Sequence, residues 1–379
     1  MTTTKRTEAL GKARDLMESY SRRTGLLGTE GDISHRYLWT DAFAVQTFFG
    51  LAHALDDAQY KENALKLITA VHETLGRFRK EDRRSGWISG LPEKEGAAHP
   101  TAGGLRIGKK LPERAPGEPM NERLEWERDG QYFHYLTRWV NALLLAAQET
   151  GEPRYAAWAT ELIQAGGKFL YKTNGRSRMY WKMSIDLTRP LVTSMGAHDP
   201  LEGLICAESA RLATPQKAND LEPLIKDFET LCAGQDWATT DPLGLGGLLL
   251  NAVRAAELGT SLRHLPEEIK PEKLLTDSLD GLKVYAKINN LEAPAQNRLA
   301  FRECGLSLGL STLCSKQQQL KEQGLDVDAF TAYFHLANAI EDFWGNPDNQ
   351  RVSTWIDHKD INTVSLAASL VANYAPIDF

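Results

Sequence analysis

Residues 124–150 read LEWERDGQYFHYLTRWVNALLLAAQET, and this stretch decides the fold class that the sequence predicts. Its apolar side chains recur every three or four residues, which is the spacing of a helix that buries one face. They stand at Tyr132, Leu136, Trp139, Leu143 and Ala147. Asp129 and Gly130 come directly before this run, so we expect a helix that begins near Asp129.

The turn that leads into this helix is crowded with charged and aromatic side chains. Glu125, Trp126, Glu127 and Arg128 precede it, and His134 adds a titratable ring one turn further in. A buried helix whose start carries such groups is typical of a pocket wall. The sequence therefore predicts a pocket at this end of the helix.

Composition and charge limit the class of protein. The chain has 379 residues, of which 42% are hydrophobic and 25% charged, and no linker divides it, so we expect a single domain over residues 1–379. The net charge of -6 argues against nucleic acid and anionic membranes as partners. No signal peptide or membrane-spanning apolar run is visible, so we expect a cytoplasmic protein.

The sequence predicts neither a metal nor a cofactor. The four cysteines, Cys206, Cys232, Cys304 and Cys314, are widely spaced and contain no CxxC pair, so we interpret them as buried thiols. No closed set of histidine ligands such as HxxxH is present. GGLRIGKK at residues 103–110 lacks the spacing of a phosphate-binding loop, and a turn before a short strand is the simpler interpretation.

Helical periodicity continues along the whole chain and predicts about twelve helices and no convincing strand. The predicted helices cover residues 7–23, 37–56, 58–80, 129–150, 152–171, 200–211, 216–232, 241–258, 271–288, 302–320, 328–344 and 360–373. Residues 81–128 form a long irregular loop that is rich in glycine and proline. Because such loops in compact domains are usually functional, we expect an ordered lid or rim there.

Short and long connections alternate between these helices, and the long ones precede the more apolar helices. Helices that are apolar over most of their surface belong inside, with amphipathic partners outside. This pattern resembles the (α/α)6 toroid of the six-hairpin glycosidases and their relatives, which include N-acylglucosamine 2-epimerases. YLWTDAFAVQTFFGLAHAL, DGQYFHYLTRWVNALL and MGAHDPLEGLICAESA look like inner-helix starts of that superfamily.

The resemblance implies an all-α fold in which the inner-helix starts share a cavity that acts on carbohydrate. Glycoside hydrolysis needs one carboxylic acid and one carboxylate. Aromatic faces stack on sugar rings, and carboxylates and arginines hold sugar hydroxyls. The predicted catalytic residues are Asp129, Asp199, Glu125, His198 and His358. The predicted substrate-binding residues are Trp39, Asp41, Trp126, His134, Glu202, Arg302, Trp355 and Asp360.

Three functions stay open at this point. The first is a glycoside hydrolase that uses two carboxylates. The second is a sugar epimerase or isomerase in which His198 and His358 exchange protons with the substrate, since histidine titrates near neutral pH. GAHDPLEG, which carries His198, looks like a histidine-bearing helix start of the N-acylglucosamine 2-epimerases. The third is a toroid that binds a ligand without catalysis. A small-molecule or oligosaccharide partner is expected in each case, and the sequence leaves the oligomeric state open.

Overall fold

The computed structural model describes residues 3–28, 31–262, 265–289 and 291–375. The chain packs as two compact units that are interleaved along the sequence. The first unit contains Met1–Gly31, Phe43–Ala64 and Gly234–Phe379, and the second contains Asp32–Ala42 and Leu65–Ala233. The single-domain expectation stays a prediction.

Helices dominate the described residues, as the periodicity predicts. The α-helices are α1 (Thr3–Arg23), α2 (Leu38–Leu55), α3 (Ala58–Leu75), α4 (Glu93–Ala98), α5 (Glu122–Glu127), α6 (Phe133–Thr150), α7 (Pro153–Gly166), α8 (Asp199–Ala213), α9 (Ala218–Cys232), α10 (Pro242–Ser261), α11 (Pro271–Ile288), α12 (Ala300–Glu322), α13 (Phe334–Trp344), α14 (Ser353–Ile356) and α15 (Lys359–Ala372). The expected all-α class is confirmed. α4 and α5 lie inside the stretch 81–128, which is therefore not wholly irregular.

The prediction of no strand was wrong, because five short strands are present in the second unit. They are β1 (Gln131–Tyr132), β2 (Leu170–Thr173), β3 (Arg176–Met179), β4 (Lys182–Met183) and β5 (Pro190–Val192). β1, β4 and β5 form one antiparallel sheet, and β2 and β3 form a hairpin. Strands of two to four residues are too short to show an alternating pattern in the sequence.

The helix expected to begin near Asp129 begins instead at Phe133. Residues 131–132 are taken by β1, whose Gln131 lies opposite Met183 and whose Tyr132 lies opposite Lys182. Gly130 makes this pairing possible with a φ of 147°, since a Cβ at that position would stand 2.8 Å from the Met183 carbonyl oxygen. The backbone thus turns from strand to helix four residues later than expected.

The buried core of the second unit lies between α6, α7 and α8. Trp139 of α6 is fully buried, and its indole Nε1 donates a hydrogen bond to His72 Nε2 at 3.0 Å. Burial lowers the pKa of His72 to about 3, so the ring is neutral and its Nε2 can accept. Cys206 and Cys232 of this unit are buried thiols, as is Cys304 of the first unit, whereas Cys314 is only half-buried.

In the first unit α10 crosses α12 at very short distance. A Cβ on Gly246 would stand 2.0 Å from the Gly305 carbonyl oxygen, and one on Gly309 would stand 2.7 Å from the Gly246 carbonyl oxygen. Small residues at such a crossing let two backbones approach more closely than any side chain would allow. Within the described ranges no helix is both long and apolar enough to span a membrane.

We expect Gly246→Ala to destabilise the protein by about 3 kcal/mol, because the added methyl group meets backbone atoms that cannot move without shifting α12. The matched control is Gly259→Ala on the same helix, where the nearest atom is Leu265 Cδ1 at 3.4 Å. That change should be neutral or stabilising by about 0.5–1 kcal/mol, since alanine favours a helix over glycine. Urea unfolding of both variants measures the difference, and equal stability would contradict the close crossing.

Candidate active site

The pairing of β1 with β4 brings two distant parts of the second unit together. Tyr132 lies opposite Lys182, and the Phe133 N–H donates to the Trp181 carbonyl oxygen at 3.4 Å. Trp181 is therefore placed beside the first turn of α6. The result is a contact between Trp181 and His134, which are 47 residues apart in the sequence.

Aromatic rings surround His134. We call Trp39, Trp126, Tyr132, Tyr135 and Trp181 the aromatic cluster. The His134 ring centroid lies 5.3 Å from Tyr132, 4.9 Å from Tyr135, 6.1 Å from Trp181 and 6.2 Å from Trp39. Trp126 completes the cluster with an edge contact to Trp181 at 5.1 Å. Such a wall of rings around a polar side chain suits a ligand with both apolar faces and hydroxyl groups.

One hydrogen bond decides which nitrogen of His134 carries the proton. Trp181 Nε1–H donates to His134 Nδ1 at 3.1 Å, so Nδ1 must be unprotonated. Burial lowers the pKa of His134 to about 4, although 24% of its side chain is still exposed. The imidazole is therefore neutral at pH 7, with its proton on Nε2.

Asp199 is the carboxyl group of this site. It is the first residue of α8, its side chain is 7% exposed, and its Oδ1 lies 3.9 Å from His134 Nδ1. Gly196 N–H donates to Asp199 Oδ2 at 3.3 Å. Burial and, after it, the negative charge of Glu202 raise the pKa of Asp199 to about 8. Most of the Asp199 population is therefore protonated at pH 7.

Glu202 lies one turn further along α8 and has a different environment. Arg138 of α6 forms a buried ion pair with its Oε1, and Thr137 Oγ1 donates to its Oε2 at 2.8 Å. Both carboxylate oxygens are thus engaged by α6. The Arg138 guanidinium also lies 5.6 Å from the centre of the Trp39 ring, within the range of a cation–π contact. Glu202 and Arg138 therefore form a buried ion pair next to the Trp39 ring of the cluster.

Asp129 and Glu125, two predicted catalytic residues, are anchors of the polypeptide. Asp129 is fully buried and accepts hydrogen bonds from Arg106 Nη1 at 2.5 Å and from the N–H groups of Gly108 at 3.0 Å and Lys109 at 3.3 Å. It neither starts nor caps α6. These contacts favour an architectural role, and the catalytic assignment stays a prediction.

Glu125 is also held by cations. Its carboxylate accepts from Lys182 Nζ at 3.0 Å and from Arg114 Nε at 2.9 Å, and all three side chains are mostly or fully buried. The neighbouring Trp126 is exposed, with 39% of its surface accessible to solvent. On α5, the Glu125 side chain is therefore held by ion pairs, while the Trp126 ring is accessible to solvent.

Two further predicted residues lie at helix starts of the second unit. Asp41 is buried, its Oδ2 accepts from the Tyr37 N–H at 3.2 Å, and its Oδ1 is 3.8 Å from Arg36 Nη1. Asp41 thus satisfies the N–H of Tyr37 at the start of α2, and its substrate-binding assignment stays a prediction. His198 occupies the N-cap position of α8 and is half-buried.

The remaining predicted residues belong to the first unit. Arg302 forms an ion pair with Asp241, whose other oxygen caps α10 through the Gly244 N–H at 2.9 Å. Trp355 is buried and stacks on Trp344 at 5.7 Å, and Asp360 pairs with Arg23 at 2.8 Å. These contacts suit structural roles.

His358 is the other histidine of the predicted epimerase pair. It is exposed at the N-cap of α15, with its ring 5.9 Å from Phe301. His198 and His358 lie in different units, and their catalytic pairing stays a prediction.

Several site residues escaped sequence reasoning. Tyr135 and Arg138 stand in a run that predicts an apolar helix, although the arginine inside LTRWVNALL is a signal, because buried arginines are almost always paired. Trp181 stands outside the predicted helices and carries no local signal of a site. Its role depends on strand pairing, which no local pattern shows. In the described part of the chain no group of three histidine, cysteine or carboxylate side chains is arranged to hold a metal ion.

The helical architecture and the solved structure that it resembles agree with the predicted (α/α)6 fold class. The predicted resemblance is confirmed at this level. Among solved structures, the chain is similar to the cellobiose 2-epimerase from Spirochaeta thermophila DSM 6192, with a TM-score of 0.52 and 11% sequence identity over 96% of each chain. No protein-family model matches the chain, and no curated protein matches it in sequence.

Asp129→Asn should lower the free energy of unfolding by about 3 kcal/mol, because it leaves the buried Arg106 guanidinium without a charged partner. Chemical unfolding followed by tryptophan fluorescence measures this loss. Asp15→Asn is the matched control, since Asp15 pairs with Arg14 at the surface and its side chain is 68% exposed. That variant should stay within about 0.5 kcal/mol of the wild type. Unchanged stability of Asp129→Asn, together with lost activity, would restore its catalytic assignment.

Trp181→Phe should change the tautomer of His134, because the ring keeps its place in the cluster but no longer donates a hydrogen bond to Nδ1. In ¹⁵N NMR of the wild type we expect an unprotonated Nδ1 and a protonated Nε2, and in the variant a population with a proton on Nδ1. Trp126→Phe is the control, since Trp126 contacts Tyr132 and Trp181 of the cluster through its ring. A wild-type His134 that already carries its proton on Nδ1 would refute the assignment.

Proposed function

We propose that the chain is a carbohydrate-active enzyme that moves a proton on the carbon next to a sugar carbonyl, as a sugar epimerase or isomerase does. The observation that carries the proposal is the Asp199–His134 pair, in which a carboxyl group that titrates near neutral pH stands beside a neutral imidazole. Both lie within the second unit, beside rings suited to a sugar.

Asp199 suits the proton-transfer step. A group that takes a proton from carbon and returns it works best when its pKa lies near the working pH. With a pKa of about 8, Asp199 is present in both forms around neutrality. The carboxylate would remove the proton from C2 to leave an enediolate. The resulting carboxylic acid would return the proton to C1, which gives the ketose, or to the opposite face of C2 once the enediolate has turned that face toward Asp199, which gives the epimer.

His134 suits the stabilisation of the oxygen that becomes negatively charged. Its proton lies on Nε2 because Trp181 occupies Nδ1, and a pKa of about 4 keeps the ring neutral. A neutral imidazole N–H can donate to a carbonyl oxygen and polarise it without giving up a full proton. Arg138 and Glu202 would orient sugar hydroxyls at the base of the cluster.

Hydrolysis is the second candidate, and Asp199 favours it too, because a protonated carboxyl group is what a glycosidase uses to protonate the leaving oxygen. The partner carboxylate is harder to find. Glu202, Glu125 and Asp129 are each held by a buried arginine or lysine, which leaves them poorly suited to activate water. Similarity in fold to a cellobiose 2-epimerase also supports proton transfer over hydrolysis. The pairing of His198 with His358 is kept as an alternative source of the acid and base.

The proposal is tested by ¹H NMR of reducing sugars in D₂O with purified protein, using glucose, mannose, cellobiose and lactose, with aryl glycosides in parallel. We expect exchange of the C2 proton and the appearance of the C2 epimer or the ketose. Asp199→Asn should lower this rate at least about a hundredfold, the usual scale of general acid–base catalysis. In the wild type kcat/KM should rise with pH and level off above about 8, as Asp199 ionises.

The fold of the Asp199→Asn variant can be checked separately. An ordinary aspartate has a pKa of about 3.9 in the unfolded chain, so between about pH 4 and 8 the native state holds a proton that the unfolded state has released. Wild-type stability should therefore fall as pH rises through this range, and the variant should be the more stable protein at pH 8. Release of a free sugar from the glycosides without C2 exchange would favour hydrolysis. Full activity of Asp199→Asn would remove Asp199 from the mechanism.

A further inference from the structure

The Asp199 carboxyl is turned back along the chain, toward the residues that precede α8. Its Oδ2 accepts from the Gly196 N–H at 3.3 Å, and the Asp199 N–H donates to the Gly196 carbonyl oxygen, also at 3.3 Å. A carboxyl that accepts from the N–H three residues earlier has the arrangement of the acidic residue in a capping box. Pro200, the next residue, has no N–H that could draw the carboxyl forward along the helix.

No side chain fits at position 196 while the carboxyl stands there. A Cβ on Gly196 would lie 2.6 Å from each of three Asp199 atoms, Cγ, Oδ1 and Oδ2. Non-bonded carbon atoms pack best at about 3.5–4.0 Å, so contacts as short as these are strongly repulsive. The Asp199 carboxyl therefore occupies space that only a glycine leaves open.

The atoms that a methyl group at position 196 would meet belong to the end of a side chain. In this respect Gly196 differs from Gly246, where the added methyl group meets the backbone of α12. A side chain can move away by changing its rotamer. Gly196 does not adopt a positive φ, so alanine tolerates its backbone conformation. Ser194 and Ala197 in the same turn are exposed, and a displaced Asp199 carboxyl would reach solvent there.

The position of the carboxyl decides its chemistry. In the turned-back position its side chain is 7% exposed, and its Oδ1 lies 3.9 Å from His134 Nδ1. Burial and, after it, the charge of Glu202 raise the pKa of Asp199 to about 8, while the Gly196 N–H and the Arg138 guanidinium oppose the shift. A carboxyl that left this place would lose its burial, and its pKa would fall toward the ordinary value of about 4.

We propose that Gly196 is a positioning residue for the acid–base step: its missing side chain lets the Asp199 carboxyl stay beside His134, and any larger residue would turn that carboxyl toward solvent. Gly196 acts through Asp199 and needs no contact with the sugar. The inference rests on the proposed function for the role of Asp199 in exchanging the C2 proton. The position of the carboxyl can be measured without turnover.

¹³C NMR of the whole protein, labelled at the aspartate carboxyl carbons, measures the titration of Asp199, with Asp199→Asn to assign the signal. We expect a midpoint of about 8 in the wild type and below about 6 in Gly196→Ala, because the carboxyl then faces water. Urea unfolding at pH 5 and pH 8 reports the same change. The loss of stability between these pH values should be smaller in Gly196→Ala than in the wild type, since its native state no longer retains the Asp199 proton.

The rate of C2-proton exchange gives the functional readout. Gly196→Ala should lower it at least about tenfold, the scale of a misplaced catalytic group, and kcat/KM should level off at a lower pH than in the wild type. Ala197→Gly is the matched control, because it exchanges the same two residue types at the exposed neighbouring position. That variant should keep the wild-type midpoint and rate.

A double-mutant cycle separates positioning from a general effect on the fold. Asp199→Ala removes the three atoms that the methyl group would meet, so Gly196→Ala should lower the urea midpoint in the wild-type background and leave it unchanged in the Asp199→Ala background. An equal loss in both backgrounds would overturn the inference, because the methyl group would then meet other atoms. The same comparison decides the question if Gly196→Ala alone does not fold.

The inference and the proposed function fail in different ways. An unchanged Asp199 midpoint in Gly196→Ala would overturn the positioning role and leave the proposed function standing. A lowered midpoint, in a protein whose wild type exchanges no C2 proton, would support the position of the carboxyl and overturn the proposed function. A wild-type midpoint of about 4 would overturn both.

Discussion

The ammonium group of Lys182 holds the frame of the candidate active site together. It has no exposed surface and uses its Nζ protons on the Glu125 carboxylate at 3.0 Å, the Glu125 carbonyl at 2.6 Å and the Arg128 carbonyl at 2.8 Å. Burial lowers the pKa of Lys182, and the Glu125 charge opposes that shift. A buried charge is tolerated only when it is paired and hydrogen-bonded in this way. Because Lys182 lies on β4, it ties the stretch 81–128 to the strand that directly follows Trp181.

Asp199 and Glu202 show how one turn of helix can hold two carboxyl groups in different environments. Glu202 faces Arg138 and Thr137, so both its oxygens have donors. Within the described part of the chain, the Asp199 carboxyl accepts from one backbone N–H, that of Gly196 at 3.3 Å, and it lies 3.9 Å from the ring of His134. The negative charge of Glu202 then makes ionisation of Asp199 still harder. A buried carboxyl group whose pKa lies near neutrality is typical of acid–base sites.

Much of the fold could be predicted because its signal is local. The period of apolar residues located the helices to within a few residues, and Pro271–Ile288 was predicted with the bounds that the structure gives. The start of α6 was missed because strand pairing, a nonlocal interaction, occupies residues 131–132. α5 was missed because six residues are too few to show a helical period.

The candidate site divides in the same way. Residues at helix starts, such as Trp39, His134 and Asp199, could be named from the sequence, since polar groups before an apolar run stand out. The sequence could not predict whether such a residue contacts a ligand or forms an ion pair within the protein. Asp129 is an example, because it pairs with Arg106. Its partners, Arg106 and the N–H groups of residues 108 and 109, come from a stretch with no regular pattern. The spacing of residues in the sequence therefore identifies candidate site residues. Their tertiary contacts are needed to separate residues that can face a ligand from residues that hold the fold.

The crossing of α10 and α12 leads to a means of tracing the ancestry of the chain. At 11% identity to a protein of similar fold, overall sequence comparison carries little information about descent. Gly246, by contrast, stands where any side chain would enter the backbone of Gly305, and Gly309 follows one turn later. A distant relative that keeps this crossing must keep a glycine opposite a Gly-x-x-x-Gly pair, some sixty residues further along. Such a sparse signature can be sought in sequences whose remaining positions have diverged beyond recognition.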